Sequence, residues 1–370
     1  MPRGLKNTLC LALVTGLSIV VLAPASAAAQ KALQPVQSST DPKALIKTAY
    51  VKSKTARDQR EFAEIVYLLD RALRSDGLLP SHQKYASGLK GWAHNRLGEQ
   101  LVKRGREAAA LGQFELAVKA NESHWKALHN RGVSYAIAGQ QKKALADFKA
   151  VIRIRPEFAN SWFNRGEIYL EYGDLDGAIA DYSEAIRLAP SDPTFYHARA
   201  TARARLGEIE RAADDLDRAL RLNPRLVAAF VDRGDIRVQE GQYQDAIDDY
   251  RAALHNDEQY GPAYRSLAWM MATCPVERYR DQKRGLAAAR KALALLGEDD
   301  HSCLEVLAAA EANAGNYPEA VATQSRAVIV IRKRALKGQL AMAEKRLARY
   351  QQGVPYRQEL IASTSQTGPR

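Results

Sequence analysis

Apolar residues along this chain recur at three- and four-residue spacing, in short stretches separated by glycine or proline. That spacing predicts amphipathic helices, arranged as pairs. The helical pattern is itself repeated, and a step of 34 residues brings like onto like. Small residues recur at Gly98, Gly132, Gly166, Ala200 and Gly234, and a second glycine column runs Gly105, Gly139, Gly173, Gly207 and Gly241. Alanines follow at Ala110, Ala144, Ala178, Ala212 and Ala246, and large residues at Phe114, Phe148, Tyr182, Leu216 and Tyr250. Pro156, Pro190 and Pro224 close three of the repeats.

Each column has a physical reason. The Gly105 column falls between two helices, where a left-handed backbone closes the first helix cheaply. The Gly132 and Ala144 columns let paired helices approach, and bulky residues such as Trp162, Tyr196 and Phe230 fill the space beside them. Proline ends the second helix and re-aims the chain. One hairpin cannot bury its apolar face alone, so the repeats must stack.

These columns resemble the tetratricopeptide repeat family, whose repeat is a helix-turn-helix of 34 residues. The resemblance implies an all-α fold, a right-handed α-solenoid of stacked helix-turn-helix repeats. Its regular part spans residues 91–260, five repeats without an insertion. Two degenerate repeats are expected over 261–334, the first with Cys274-Pro275 and a polar stretch in place of its turn. Residues 42–90 are expected to form an N-terminal helical cap and 335–351 a basic C-terminal capping helix. Residues 28–41 read as a linker, and 352–370 as a disordered tail rich in Ser, Thr, Gln and Gly.

The first residues follow a different logic. Arg3 and Lys6 precede an uncharged apolar run from Thr8 to Ala23, and Ala25-Ser26-Ala27 fits a small-x-small cleavage site. That is the layout of a secretory signal peptide, residues 1–27, and it makes the chain an exported one, periplasmic or secreted. The alternative is a retained anchor, which the shortness of the run against the roughly 20 residues of a spanning helix disfavours. Of the remaining cysteines, Cys274 ends the first helix of one repeat and Cys303 begins that of the next. Stacking places them at opposite ends of near-parallel helices, beyond bridging distance.

The net charge of +12 is unevenly placed. Residues 28–106 and 326–370 are basic, while 107–325 are mildly acidic, which is not the continuous stripe a nucleic-acid binder would carry. Within the middle, Arg131, Arg165, Arg199 and Arg233 recur together with Asp147, Asp181, Asp215 and Asp249. In each repeat the turn glycine lies midway between the two, so an antiparallel hairpin sets arginine and aspartate at one height. Repeats with leucine in the arginine column (Leu97, Leu267, Leu307) also lack the aspartate, having Gln113, Ala288 and Thr323 there. Charges that appear together or not at all read as structural salt bridges in preference to an anion-binding ladder.

No catalytic or metal-binding constellation emerges. The seven histidines have no zinc-like spacing, the glycines are used by turns and helix contacts, and no cofactor is implied. The resemblance implies instead a groove lined by first helices that holds a protein or peptide. The residues expected there are Lys126, His129, Val133, Asn160, Phe163, Glu167, His197, Thr201, Val231 and Asp235. Phe163 either anchors a peptide or packs against a neighbouring first helix. His129 and Val133 stand where the family's chaperone-tail clamp would need Lys and Asn, which excludes that function. The leading reading is a non-enzymatic, protein- or peptide-binding scaffold of the bacterial envelope or exterior. The alternative is an envelope-surface protein that binds anionic lipid or polymer through its basic ends, Arg332, Lys333, Arg334, Lys337, Lys345, Arg346 and Arg349 among them.

Overall fold

The fold is seen in a computed structural model, which describes residues 41–359. The expected signal peptide, nearly all of the linker and the tail from residue 360 lie outside the described residues. The described chain is all α-helix apart from turns and one 3-10 turn, and it divides after Pro190 into two compact units. Each unit is a solenoid of stacked helical hairpins.

The N-terminal unit contains α1 (Pro42–Ser53), α2 (Gln59–Leu73), α3 (Pro80–Val102), α4 (Glu107–Ala120), α5 (Trp125–Ile137), α6 (Gln141–Ile154), α7 (Ala159–Tyr172) and α8 (Leu175–Leu188). Helix α1 starts where the Asp41 carboxylate accepts the N–H groups of Lys43 and Ala44, with proline at its first position. Helix α2 starts at a reciprocal capping box between Asp58 and Glu61. Leu45, Phe62, Ile65, Leu69, Ala93 and Leu97 join α1, α2 and α3 in one core cluster. The boundary drawn between cap and first repeat at residues 90 and 91 falls inside α3. Pro80 sets the start of this helix and nothing breaks it before Val102, so its first turns serve the cap and its last turns the repeat.

Turn chemistry then repeats. Gly105, Gly139 and Gly173 have φ of 69°, 73° and 78°. The residue after each donates back into the preceding helix, Arg106 to Leu101, Gln140 to Tyr135 and Asp174 to Tyr169, at 2.8–3.0 Å. Open carbonyls at the helix end are thereby satisfied within the repeat. The other glycine column serves close approach. A Cβ added at Gly98 would stand 2.4 Å from the Phe114 ring, and one at Gly166 would stand 2.8 Å from Tyr182. The repeat that carries Ala200 also carries Leu216, not an aromatic residue, at the facing position.

A Gly166→Ala variant sets two effects against each other. Alanine gains up to about 1 kcal/mol of helix propensity, but its methyl group must push the buried Tyr182 ring, at about 1–3 kcal/mol for overpacking. Net destabilisation is the expected result in urea titration, and adding Tyr182→Leu is expected to recover part of it. A stabilised Gly166→Ala would show that the ring has room to yield.

The C-terminal unit contains α9 (Pro193–Leu206), α10 (Ile209–Leu222), α11 (Val227–Gln239), α12 (Tyr243–Asn256), α13 (Gly261–Thr273), α14 (Gln282–Leu296), α15 (His301–Asn313), α16 (Tyr317–Lys333) and α17 (Lys337–Gln351). Gly207, Gly241 and Gly315 close first helices in the left-handed conformation. Helix α13 has no such glycine. Its chain leaves through Cys274-Pro275 and a 3-10 turn, Glu277–Tyr279, held by Arg280, whose guanidinium donates to the carbonyls of Cys274 and Pro275 at 3.0 and 3.2 Å. Asp281 caps α14 by accepting from Arg284 N–H. Cys274 and Cys303 are both buried free thiols, and burial pushes the Cys303 thiol up to about 12.

One expectation is corrected here. Residues 352–359 do not begin a loose tail. Gly353, with φ of 69°, reverses the chain after α17, and Tyr356, Arg357 and Gln358 dock on α13 and α15. Composition suggested disorder because these residues bury little of their own; what holds them is polar backbone exposed at the end of α13.

Candidate functional site

The structure brings each arginine of the column onto its aspartate through two hydrogen bonds. Arg131 donates to Asp147 at 2.8 and 2.7 Å, and Arg165 to Asp181 at 2.7 and 2.7 Å. In the C-terminal unit Arg199 donates to Asp215 at 2.9 and 2.7 Å, and Arg233 to Asp249 at 3.0 and 2.6 Å. All four aspartates are buried and the arginines half-buried. Arg203 and Arg237 add a third hydrogen bond to Asp215 and Asp249, each at 2.7 Å. Arg165 also lies over Trp162 and Tyr169. Planar forks matched to carboxylates in this way leave the guanidinium edges used, so these arginines are framework and offer no open anion site.

The residues expected in an open groove are placed differently, and most of them are corrected. His129 is fully buried, its ring 5.7 Å from Phe148 and 4.9 Å from Phe158, with Nδ1 3.0 Å from Ser161 Oγ. Phe163 is fully buried against Tyr182, so it anchors no peptide. Val133 joins the core with Tyr135, Ala144, Phe148 and Ile168, and Val231 joins Tyr250, Leu267 and Met270. Glu167 is buried and accepts the Tyr182 hydroxyl at 2.5 Å. Two causes act: the following hairpin covers His129, Val133 and Val231, and Phe163 and Glu167 turn in against Tyr182 of their own hairpin. Lys126 and Asn160 are half-buried. His197 Nε2 meets Asp232 at 2.8 Å, and Thr201 donates to the His197 carbonyl at 3.1 Å. Asp235 lines a cleft.

Burial of His129 carries a pH dependence. Desolvation lowers its pKa to about 3, below the 6.5 of an unfolded histidine. Between those values the unfolded chain binds a proton that the folded chain refuses, so stability present above pH 6.5 is lost as the pH falls toward 3. The slope is about 1.4 kcal/mol per pH unit. The loss between pH 7 and 4.5, read from urea midpoints, is therefore expected to shrink by about 2–3 kcal/mol in His129→Leu. An unchanged loss would show that His129 titrates normally.

The cleft lies in the C-terminal unit and measures about 420 Å³. Helix α11 contributes Asp235, α13 contributes Arg265, Ser266 and Trp269, and α15 and α17 contribute Glu305 and Arg346. Asp235 accepts from Tyr250 at 2.6 Å and Ser266 at 3.3 Å, and burial pushes its carboxyl up. Glu305 is paired with Arg346, whose guanidinium lies over Trp269. Arg265 makes no hydrogen bond or ion pair among the described residues, although it faces this cleft. A free guanidinium beside an indole and hydroxyl groups can grip a carboxylate or carbonyl while the ring covers an apolar side chain. Arg265 and Trp269 occupy the 34-residue register positions of Val231 and Asp235, so the same column reading could have found them. The irregularity of this repeat hid them.

The basic C-terminal segment from Arg332 to Arg349 is also partly spent within the fold. Arg332 pairs with Glu344 at 2.5 Å, Arg334 donates to the Asp299 carbonyl at 3.2 Å, and Arg349 to that of Pro355 at 3.1 Å. Lys333, Lys337 and Lys345 are exposed. Among the described residues no group of three His, Cys, Asp or Glu could hold a metal ion, and no helix is long and apolar enough to cross a membrane.

A family described as TPR repeat matches residues 166–207, and one described as Tetratricopeptide repeat matches 95–157 and 197–261. No curated protein sequence matches. Among solved structures, the Cut9–Hcn1 hetero-tetramer of the APC/C is similar at 15% identity and a TM-score of 0.58, over 84% of this chain and 55% of that one. This chain thus spans about half the length of that neighbour. PilF of Pseudomonas aeruginosa is similar at 16% identity and a TM-score of 0.49, over 55% of this chain and 91% of that one. MamA of Desulfovibrio magneticus RS-1 is similar at 16% identity and 0.43, over 46% and 96%.

Proposed function

Because this chain is a tetratricopeptide-repeat protein, we propose that it is a non-catalytic scaffold that binds a segment of another protein in the cleft of its C-terminal unit. One observation carries the reading. Through four repeats the arginines are neutralised by aspartates inside the hairpins, yet Arg265, on the wall of a cleft with Asp235 and Trp269, makes no hydrogen bond or ion pair among the described residues. A half-exposed guanidinium without an ion pair, in a partly enclosed site, can engage a ligand that brings its own acceptor.

The test is a photo-crosslinking residue placed at Gln239, which is exposed at the rim of the cleft. In extract of the native host it is expected to capture a protein adduct that Arg265→Glu abolishes. Capture of no protein, or of the same adduct by Arg265→Glu, would reject the cleft as the binding site.

The place of action is proposed from residues 1–27. Arg3, Lys6, the apolar run and Ala25-Ser26-Ala27 support export to the periplasm or beyond. Fractionation with N-terminal sequencing is expected to find an envelope or secreted protein that begins after the alanine cluster. Recovery from the cytoplasm with Met1 in place would reject export.

A further inference from the structure

Helix α13 is the one first helix of the C-terminal unit that ends on Cys274-Pro275 in place of a glycine turn, and its carbonyls are answered from elsewhere. The Asp281 N–H reaches the Met271 carbonyl at 3.2 Å. The Ala272 carbonyl accepts Arg357 Nη1 at 2.8 Å, and the Thr273 carbonyl accepts the Gln358 N–H at 2.9 Å. A helix C-terminus concentrates partial negative charge and unpaired carbonyls, so an arginine and a backbone donor are what it recruits. Arg357 Nη2 also donates to Asn313 at 2.9 Å. One residue earlier, the Tyr356 ring lies 5.7 Å from Trp269, and Arg346 sits over both rings. The segment Val354–Gln358 is tied to α17 through the Val354 N–H and the Pro355 carbonyl, both bonded to Arg349, and beyond that is held as a bound peptide is held, by the Tyr356 ring, the forked Arg357 and the Gln358 N–H. Gln358 forms part of the wall of the cleft.

We propose that this strap is an intramolecular occupant of the partner-binding face. The partner is an extended protein segment carrying an aromatic residue followed by arginine, which takes the places of Tyr356 and Arg357. The proposal rests on reading the cleft as the binding site and adds the sequence chemistry that docks at its edge, on Trp269 and the ends of α13 and α15. It also makes access competitive. A segment tethered through a short reversal at Gly353 has an effective concentration in the millimolar range, so a partner must outbid the chain's own tail.

The probe is the chain's own sequence as a free peptide, Gly-Val-Pro-Tyr-Arg-Gln-Glu, acetylated, amidated and fluorescently labelled. The full chain is used with its strap intact or loosened by Tyr356→Ala together with Arg357→Ala. Fluorescence anisotropy is expected to show the loosened chain binding the peptide at least tenfold more tightly than the intact one. A further Trp269→Ala change is expected to abolish that binding. Equal affinity for intact and loosened chains, or no binding to a loosened chain whose helical circular dichroism is native, overturns the proposal.

Hydrogen exchange on the unmodified chain gives a second measurement that needs no variant. Excess peptide is expected to speed exchange at the Gln358 amide, and a scrambled peptide is not. Unchanged exchange under a saturating excess overturns the proposal. A crosslinked adduct at Gln239 that depends on Arg265, found with no peptide competition, would leave the cleft reading standing and remove the strap from it.

Discussion

Replacing Asp181 by alanine is expected to destabilise the protein by about 3 kcal/mol, read from urea or thermal unfolding. The value sits at the low end for a broken buried ion pair because the Arg165 side chain keeps 17% of its exposure. The variant leaves a guanidinium that cannot lose its proton wedged between two helices without its carboxylate. The opposite truncation, Arg165→Leu, should cost less, because burial already pushes the Asp181 carboxyl up and it can take a proton when its partner is gone. Removing both, as in the repeat that carries Leu267 and Ala288, should return stability to within about 1 kcal/mol of the native chain, since matched burial without charge avoids desolvation. Asp176→Ala, an exposed change in the same helix, should stay within about 1 kcal/mol. Equal losses for Asp176→Ala and Asp181→Ala, or a double variant no better than Asp181→Ala, would show that the pair is not what secures the hairpin.

Phe148→Ala is expected to cost about 3–5 kcal/mol, the range for emptying an aromatic core position. Phe148 is fully buried, its ring packed on the helix face that Gly132 leaves bare and among Val133, Tyr135, Ala144 and Ile168. Glycine on the facing helix has no side chain that could relax into the space, so the cavity persists. Phe148→Leu, which copies the residue present at position 216 of the same column, should cost distinctly less. The alanine variant has a second signature, because Phe148 is part of what desolvates His129. Water admitted beside the imidazole should raise its pKa toward 6.5, and the acid-dependent loss of stability should shrink in step. A Phe148→Ala protein as stable as Phe148→Leu would mean that the hairpin collapses around the gap.

Helix type, the turns and the pairing partners are local properties, and that is why they could be read from residues alone. The Gly139 turn and the Gly132–Phe148 contact both follow from fixed spacings within one hairpin. Arg131 and Asp147 are likewise equidistant from their turn, so no knowledge of neighbouring repeats is needed to set them face to face. Exposure is another matter. His129, Val133 and Val231 occupy columns that the next hairpin helps to cover, through Phe158, Ile168 and Leu267, while Phe163 and Glu167 turn in onto Tyr182 of their own hairpin, an orientation that spacing alone does not set. Phe158 and Ser161 close over His129 from the following repeat, a consequence of packing distance that periodicity does not contain.

The cleft and the strap show the same limit. Arg265 and Trp269 keep the register of the regular repeats but belong to one whose turn is lost, so their column gave no sign that it opens onto space. The docking of Arg357 and Gln358 depends on carbonyls that Cys274-Pro275 left unpaired much earlier in the chain. By itself, then, the sequence determined the all-helical repeat and the internal Arg–Asp pairs, because short-range spacing fixes which groups share a height and a face. Tertiary structure alone decided which columns became core, where a cleft survived and what lies across the end of α13, because those outcomes depend on helices brought together from distant parts of the chain.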